Sequence, residues 1–277
     1  MIKGLYTSAM GMLIQEASLS ITTNNLANVN TTGYKKERIT FEEFPNILEQ
    51  RINDTQVPDG QKHYKPPQIG RLGTGVILDR VTTDHETGSM APTGNATDFM
   101  AHGKSYFALQ TPDGIQFTKD GQFRISNDGF LTNRQGYRVL GHPGQKPASP
   151  AIDDKGNPAN WLTPIKVQSA TGLTVDVTGR VMQNNQFANQ SILTVNFKDT
   201  NQMEKVGQNN YKRLSGEVLV NKQNEISQGH LEKSNINIVN EMVNMIKVSR
   251  GYETNSKILT GIDELLGKAV NQIGTLR

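Results

Sequence analysis

Five histidines, His63, His85, His102, His142 and His230, are the side chains best suited to proton transfer or metal ligation near neutral pH. No two are four residues apart, so the HxxxH spacing that sets two imidazoles on one helical face is missing. The HExxH signature of zinc hydrolases is missing with it. Gly103-Lys104-Ser105 ends like a phosphate loop, but the glycine needed five residues earlier is Asp98, and the run leads into a strand-like segment. Gly70-Arg71-Leu72-Gly73-Thr74-Gly75 has its glycines in the wrong order for a dinucleotide turn, and no βαβ pattern surrounds it. There is no GxSxG nucleophile elbow. Asp153-Asp154-Lys155-Gly156-Asn157 lacks calcium-loop spacing and reads as a turn. The chain has no cysteine, which excludes thiolate metal sites, thiol nucleophiles and disulfides together. The sequence predicts no enzyme, no cofactor and no metal.

Charge and hydropathy narrow the partners. The net charge of +3 is spread along the chain, without the basic, aromatic-interleaved stripe of a nucleic-acid binder. Lys35-Lys36-Glu37-Arg38 reads as a solvated helix end or turn. Nothing approaches the roughly 18–20 apolar residues of a membrane span, so no membrane insertion is expected. The first 25 residues lack both a continuous apolar stretch and a small-residue cleavage site, which predicts a protein without a cleaved secretory signal.

The elements that carry these residues follow from where proline is absent. All 11 prolines lie between Pro45 and Pro164, leaving both ends free to form long helices. Leu5, Ala9, Met12, Glu16, Leu19, Thr23 and Leu26 recur every three or four residues, the 3.5-residue period of a coiled-coil seam. Asn24, Asn25, Asn28 and Asn30 then crowd in, and Gly33 stops the helix. The same spacing picks out Ile238, Met242, Met245, Ser249, Tyr252, Ser256 and Leu259, then Ile262 and Leu266 after a phase slip. Ser234 or Asn235 is placed to cap this second helix, and Gly251, Gly261 and Gly267 weaken it.

Between the ends the pattern changes to short alternating runs at 105–110, 115–119, 122–125, 130–133 and 137–140, joined by Pro112-Asp113-Gly114, Asp120-Gly121, Asn127-Asp128-Gly129 and Gln135-Gly136. Further strands are expected at 165–167, 173–177, 180–182, 191–197 and 217–220, with loops at 46–68 and 142–158. The fold class is α+β, mainly β: N- and C-terminal helices pairing as a coiled coil, with a central antiparallel β domain. The divisions are a helix and turn at 1–44, a linker at 45–75, the β domain at 76–229 and the C-terminal helix at 230–277.

Three stretches resemble one family. The segment from Asn24 to Lys35, NNLANVNTTGYK, resembles the N-terminal signature of flagellar rod and hook proteins. Leu231-Glu232-Lys233-Ser234-Asn235-Ile236-Asn237, with Glu241-Met242-Val243 and Tyr252-Glu253-Thr254-Asn255, is similar to that family's C-terminal signature. Thr93-Gly94-Asn95-Ala96-Thr97-Asp98-Phe99, Gly121-Gln122-Phe123 and Gly129-Phe130-Leu131 resemble its β body. The resemblance implies a non-enzymatic axial subunit of the flagellar basal body, outside the cytoplasmic membrane. It implies passage through a type III export apparatus and assembly with copies of itself and with neighbouring rod and hook proteins. Chain length and the linker resemble the distal-rod branch, with a proximal-rod or hook-junction position as the alternative. In such a subunit the seams named above make the assembly contacts, and Asn24, Asn25, Asn28, Asn30 and Gly33 form the signature turn. A reading from another class is a module that holds cell-wall glycan. Sugar platforms use several exposed aromatics, whereas Trp161 is the only tryptophan.

Overall fold

The computed structural model describes residues 2–44, 47–50, 68–73, 75–144, 152, 159–207, 209–215, 218–220 and 225–274. It divides into two units, one of residues 1–24, 37–82 and 239–277, the other of residues 25–36 and 83–238.

The first unit contains the helices α1 (Ile2–Ala27) and α2 (Ile238–Gly274), which continue beyond it at one end. A Cβ on Gly4 would lie 3.4 Å from Ile262, one on Gly11 2.7 Å from Asn255, and one on Gly251 3.1 Å from Gln15. As the α1 position rises from 4 to 11 to 15, its α2 partner falls from 262 to 255 to 251. The helices are therefore antiparallel, in a single register. On α1 the close approach is made at Gly4, Gly11 and Gln15, and Ser8 and Thr22, which continue that spacing, are buried. This line keeps the 3.5-residue period, but it is built from small and polar side chains that let two backbones approach. Leu5, Met12 and Leu19 each sit one position past a contact residue and are half-buried. Gly4 approaches Ile262, one of the expected seam residues, whereas Gly11 and Gly251 approach the polar Asn255 and Gln15.

The strands β1 (Glu37–Glu43) and β4 (Val76–Thr83) pair as a two-stranded ribbon in the same unit. Thr40 Oγ1 donates to the Arg80 carbonyl across it at 3.0 Å. Residues 37–43 lie past the expected helix stop at Gly33, and they are extended, with the β formers Ile39 and Phe41 spaced two apart. β2 (Ile47–Gln50) and β3 (Gln68–Leu72) pair antiparallel at the two ends of the expected 46–68 loop; residues 51–67 lie outside the described residues.

The second unit holds a 13-stranded antiparallel sheet. Its main path runs Leu173–Val175, Arg180–Gln183, Gln186–Ile192, Arg138–Pro143, Ser105–Thr111, Gly114–Thr118, Asn210–Arg213 and Met203–Gly207. Strand Ser105–Thr111 shows why it forms. Alternate side chains point to opposite faces, so Phe107 and Leu109 enter one apolar cluster with Phe99, Phe123, Leu131 and Val139. Tyr106 and Ala108 enter another with Phe117, Leu193, Val195 and Tyr211. Both faces are covered, hence the unbroken apolar run. The expected hairpins at 112–114 and 127–136 are present. The expected strand at 191–197 is two, Gln186–Ile192 and Thr194–Phe197. The one at 165–167 is a bridge, Phe130 to Lys166, beside the short strand Thr163–Pro164. Most of the expected 142–158 loop lies outside the described residues.

Glycines on α2 now separate by role. Gly261 and Gly267 have open space around them, so Gly261→Ala and Gly267→Ala are each expected to favour the helix by about 1 kcal/mol. Gly11→Val and Gly251→Val are expected to push the pair apart and lower helix content. Far-UV circular dichroism melts of the full chain distinguish the two classes.

Candidate functional site: the helix surfaces and a buried ion cluster

The helical unit leaves much apolar side chain uncovered. On α1, Tyr6 and Leu13 are 65% and 59% exposed. On α2, Val239 and Val270 reach 67% and 70%, and Val243, Ile246, Ile258 and Leu265 are also exposed. Of the seam residues expected on α2, Met245, Leu259, Ile262 and Leu266 are half-buried. Ile238, Met242 and Tyr252 are exposed. Leu26 is half-buried on the last turn of α1. The contact residues Gly4, Gly11, Gln15, Gly251 and Asn255 were not among those expected. Their signal was a second 3.5-residue line of small residues, one position out of phase with the apolar one.

In the β unit, the two signature segments meet over a buried ion cluster. Asn25 is buried, Asn28 is half-buried, and Asn24 and Asn30 are exposed. The chain turns there by backbone bonds from Asn28 N to Asn25 O and from Thr31 N to Asn28 O, at 3.1 and 3.0 Å. Asn28 Oδ1 also accepts from Thr31 Oγ1. Gly33 follows with a φ of +65°, and a Cβ there would sit 2.5 Å from the Asp120 nitrogen and 2.7 Å from the Lys119 carbonyl. Glycine is needed twice over, for the left-handed backbone and for the space. Its N–H donates to the Glu232 carbonyl at 2.8 Å. Thr32 Oγ1 donates to Asp120 at 2.6 Å, and Asn209 Nδ2 donates to the Thr32 carbonyl.

Lys35, expected in a solvated turn, is instead 1% exposed. Its ammonium bonds Glu232 Oε1 at 2.7 Å and the Glu86 carbonyl at 2.6 Å. Lys119 approaches the other oxygen of Glu232 at 3.2 Å and donates to the carbonyls of Ala101, Gly103 and Ser105 at 2.7, 2.7 and 2.8 Å. The Gly88 N–H donates to Glu232 Oε1 as well. One carboxylate thus faces two ammonium groups away from water. Burial draws the Lys119 pKa down to about 8, against the upward pull of Glu232 and with the repulsion of Lys35. Asn235, expected as a helix cap, accepts from the Lys36 N–H and donates to the Asp84 and Glu86 carbonyls. Asn237 is the residue that precedes α2.

His85 Nδ1 lies 2.5 Å from the Tyr106 hydroxyl. Burial first, then Lys35, holds its pKa at about 4, with Asp84 opposing and Lys104 adding to the shift. Burial and Glu232 raise that of Tyr106. His102 meets Ser227 Oγ, His230 the Gln228 carbonyl, and His142 packs edge-on to Trp161. His63 lies outside the described residues. Among those residues no group of three or more histidines or acids is placed to hold a metal. Among the described residues no helix is long and apolar enough to cross a membrane.

Removing one partner of a buried ion cluster strands the others. Glu232→Gln is expected to cost about 3–5 kcal/mol, read from the urea midpoint of the full chain. For His85, the folded pKa lies below the ordinary 6.5, so between about 6.5 and 4 the unfolded chain binds a proton that the folded chain refuses. Stability is therefore expected to fall as pH drops through that window, and His85→Gln to flatten that part of the pH profile.

Comparison with known proteins places both signatures and the β unit. A family described as "Flagella basal body rod protein" matches residues 5–35. "Flagellar hook protein FlgE/F/G D1 domain" matches residues 100–183, and "Flagellar basal body rod FlgEFG protein C-terminal" matches residues 227–273. The chain is 31% identical to the flagellar basal-body rod protein FlgG of Buchnera aphidicola subsp. Acyrthosiphon pisum, over 97% of this chain and 98% of that one. It is 29% identical to FlgG of Bacillus subtilis over 98% and 99%. With the flagellar hook-basal body complex protein FlhO of Bacillus subtilis it shares 26% identity over the full length of both.

Proposed function

Because this chain belongs to the flagellar basal-body rod and hook family, we propose that it is a structural subunit of the distal rod, polymerising helically with its own copies into a hollow drive shaft. The observation that carries this reading is the apolar surface left open along both terminal helices. Tyr6 and Leu13 on α1 and Val239, Met242, Val243 and Ile246 on α2 are exposed although the helices are already paired. Apolar side chains left in water on an already paired helix contribute nothing until a further surface covers them. Large open apolar areas mark surfaces made to be covered. Neighbouring copies, set side by side around an axis, supply that cover.

In this reading the helices line the tube. Torque passes through contacts between subunits, and later subunits travel through the bore. The chain reaches its place through the type III export apparatus, without a cleaved signal, and meets the adjoining rod and hook proteins at its two ends. The full-length likeness to FlhO supports a second reading, the same role in another segment such as the proximal rod or the hook junction. In either position the protein works by assembling and needs no catalytic centre.

Met242 is 48% exposed, so Met242→Asp is expected to leave the monomer's unfolding midpoint unchanged while abolishing polymerisation. Sedimentation and negative-stain microscopy read the polymer, and swimming assays read the organism. Wild-type polymers and motility from this variant would remove the helix surface from the assembly role.

A further inference from the structure

One exposed face of the β unit groups cations that make no ion pair among the described residues. They are Arg124, Arg134, Arg138 and Lys166, all exposed. The sheet register groups them. Thr132 pairs with Arg124 on one neighbouring strand and with Arg138 on the other, and cross-strand partners project from the same face. The two arginines are thus two strand spacings, roughly 10 Å, apart. Phe130 is two residues before Thr132 and bridges to Lys166, so both belong to that face.

Each arginine is held in place by a neutral group. The Arg138 guanidinium lies 4.2 Å from the centre of the Phe130 ring, and the Lys166 ammonium lies 5.8 Å from the same ring. Arg124 Nη2 donates to the Arg134 carbonyl at 2.9 Å, and Arg134 Nη2 donates to Gln122 Oε1. Asp120 feels the charge of Arg134, but its carboxylate is already bonded to Thr32 and to the Gln122 N–H. Fixing a guanidinium with neutral partners keeps its charge available and removes much of the entropy cost of binding.

We propose that this face binds a polysaccharide whose sugars carry carboxylate groups. Planar guanidinium forks match carboxylates in pairs of parallel hydrogen bonds. A folded protein partner would seek an apolar anchor at the centre of the contact. Here no large apolar side chain is exposed between residues 120 and 140, and the one central ring, Phe130, is overlain by Arg138. A polar chain lying across the strands fits the row better. Gln110, which pairs with Arg138 and is exposed, extends that row with an amide suited to hydroxyl groups. The proposal concerns the single folded chain and stands apart from how copies assemble.

The test uses the full-length protein below its polymerisation concentration, immobilised and exposed in turn to polygalacturonate, neutral dextran, poly-L-glutamate and polyphosphate. Binding is expected to polygalacturonate and not to dextran, to weaken with added salt, and to fall about tenfold or more in the Arg138→Gln/Lys166→Gln double variant. Arg138→Lys keeps the charge but loses the planar fork, and is expected to fall between the two. Lys247→Gln, which removes one charge from α2, is expected to bind normally. Thermal melts confirm that each variant is folded. The proposal is overturned by absence of binding, by an equal loss in Lys247→Gln, or by undiminished binding in the double variant. It is overturned equally if poly-L-glutamate binds as tightly, which would identify an acidic protein surface, or if polyphosphate does, which would identify a general polyanion site.

Discussion

A carboxylate removed from water must find its donors inside the protein. Glu232 takes them from Lys35, Gly88 and Lys119, stretches of chain that are remote from one another in sequence. Its own backbone carbonyl receives Gly33. The N-terminal signature, the C-terminal signature and the β sheet are therefore fixed to one another through a single side chain, and every turn around it has to deliver a donor to a defined place. The left-handed Gly33, the bond from Thr32 to Asp120 and the three carbonyls around Lys119 all serve that geometry. Because two ammonium groups face one carboxylate, the cluster keeps a surplus positive charge. Backbone carbonyls absorb it, and His85 stays neutral beside it.

The helices follow the opposite logic. Gly4, Gly11, Gln15, Gly251 and Asn255, together with Ile262, set the closest approach of the pair and fix its register. Leu5, Met12 and Leu19 stand beside that line, half-buried. The β unit, by contrast, closes two apolar clusters on the two sides of strand Ser105–Thr111.

Several of these features were legible because their causes are local. Turn residues at 112–114 and 127–129 announced their hairpins, and the absence of proline announced the terminal helices. What escaped depended on partners far away in sequence. Nothing near Lys35 signals that it is buried, since the carboxylate that neutralises it is 197 residues off. Asn235 looked like a cap because it precedes a helix, yet its bonds go to residues 36, 84 and 86. Gly4, Gly11 and Gly251, where the helices approach most closely, lie one residue from the apolar line, and apolar periodicity alone does not point to them. Residues 37–43, rich in charge, lacked the clean alternation that marks a half-buried strand, because both faces of their ribbon are largely exposed.

The position of Glu232 also sets an order of events. A chain that emerges amino end first, from a ribosome or through a narrow channel, exposes Lys35 and Lys119 long before the residue that satisfies both. Until Glu232 has appeared, neither ammonium has its carboxylate, and the Gly33 N–H has no carbonyl to receive it. Contacts of such long sequence separation form late and slowly. Closing the cluster is thus the step that joins the amino-terminal turn to a sheet already formed: Lys119 can rest beforehand on the carbonyls of Ala101, Gly103 and Ser105, and Glu232 then locks it and Lys35 in place.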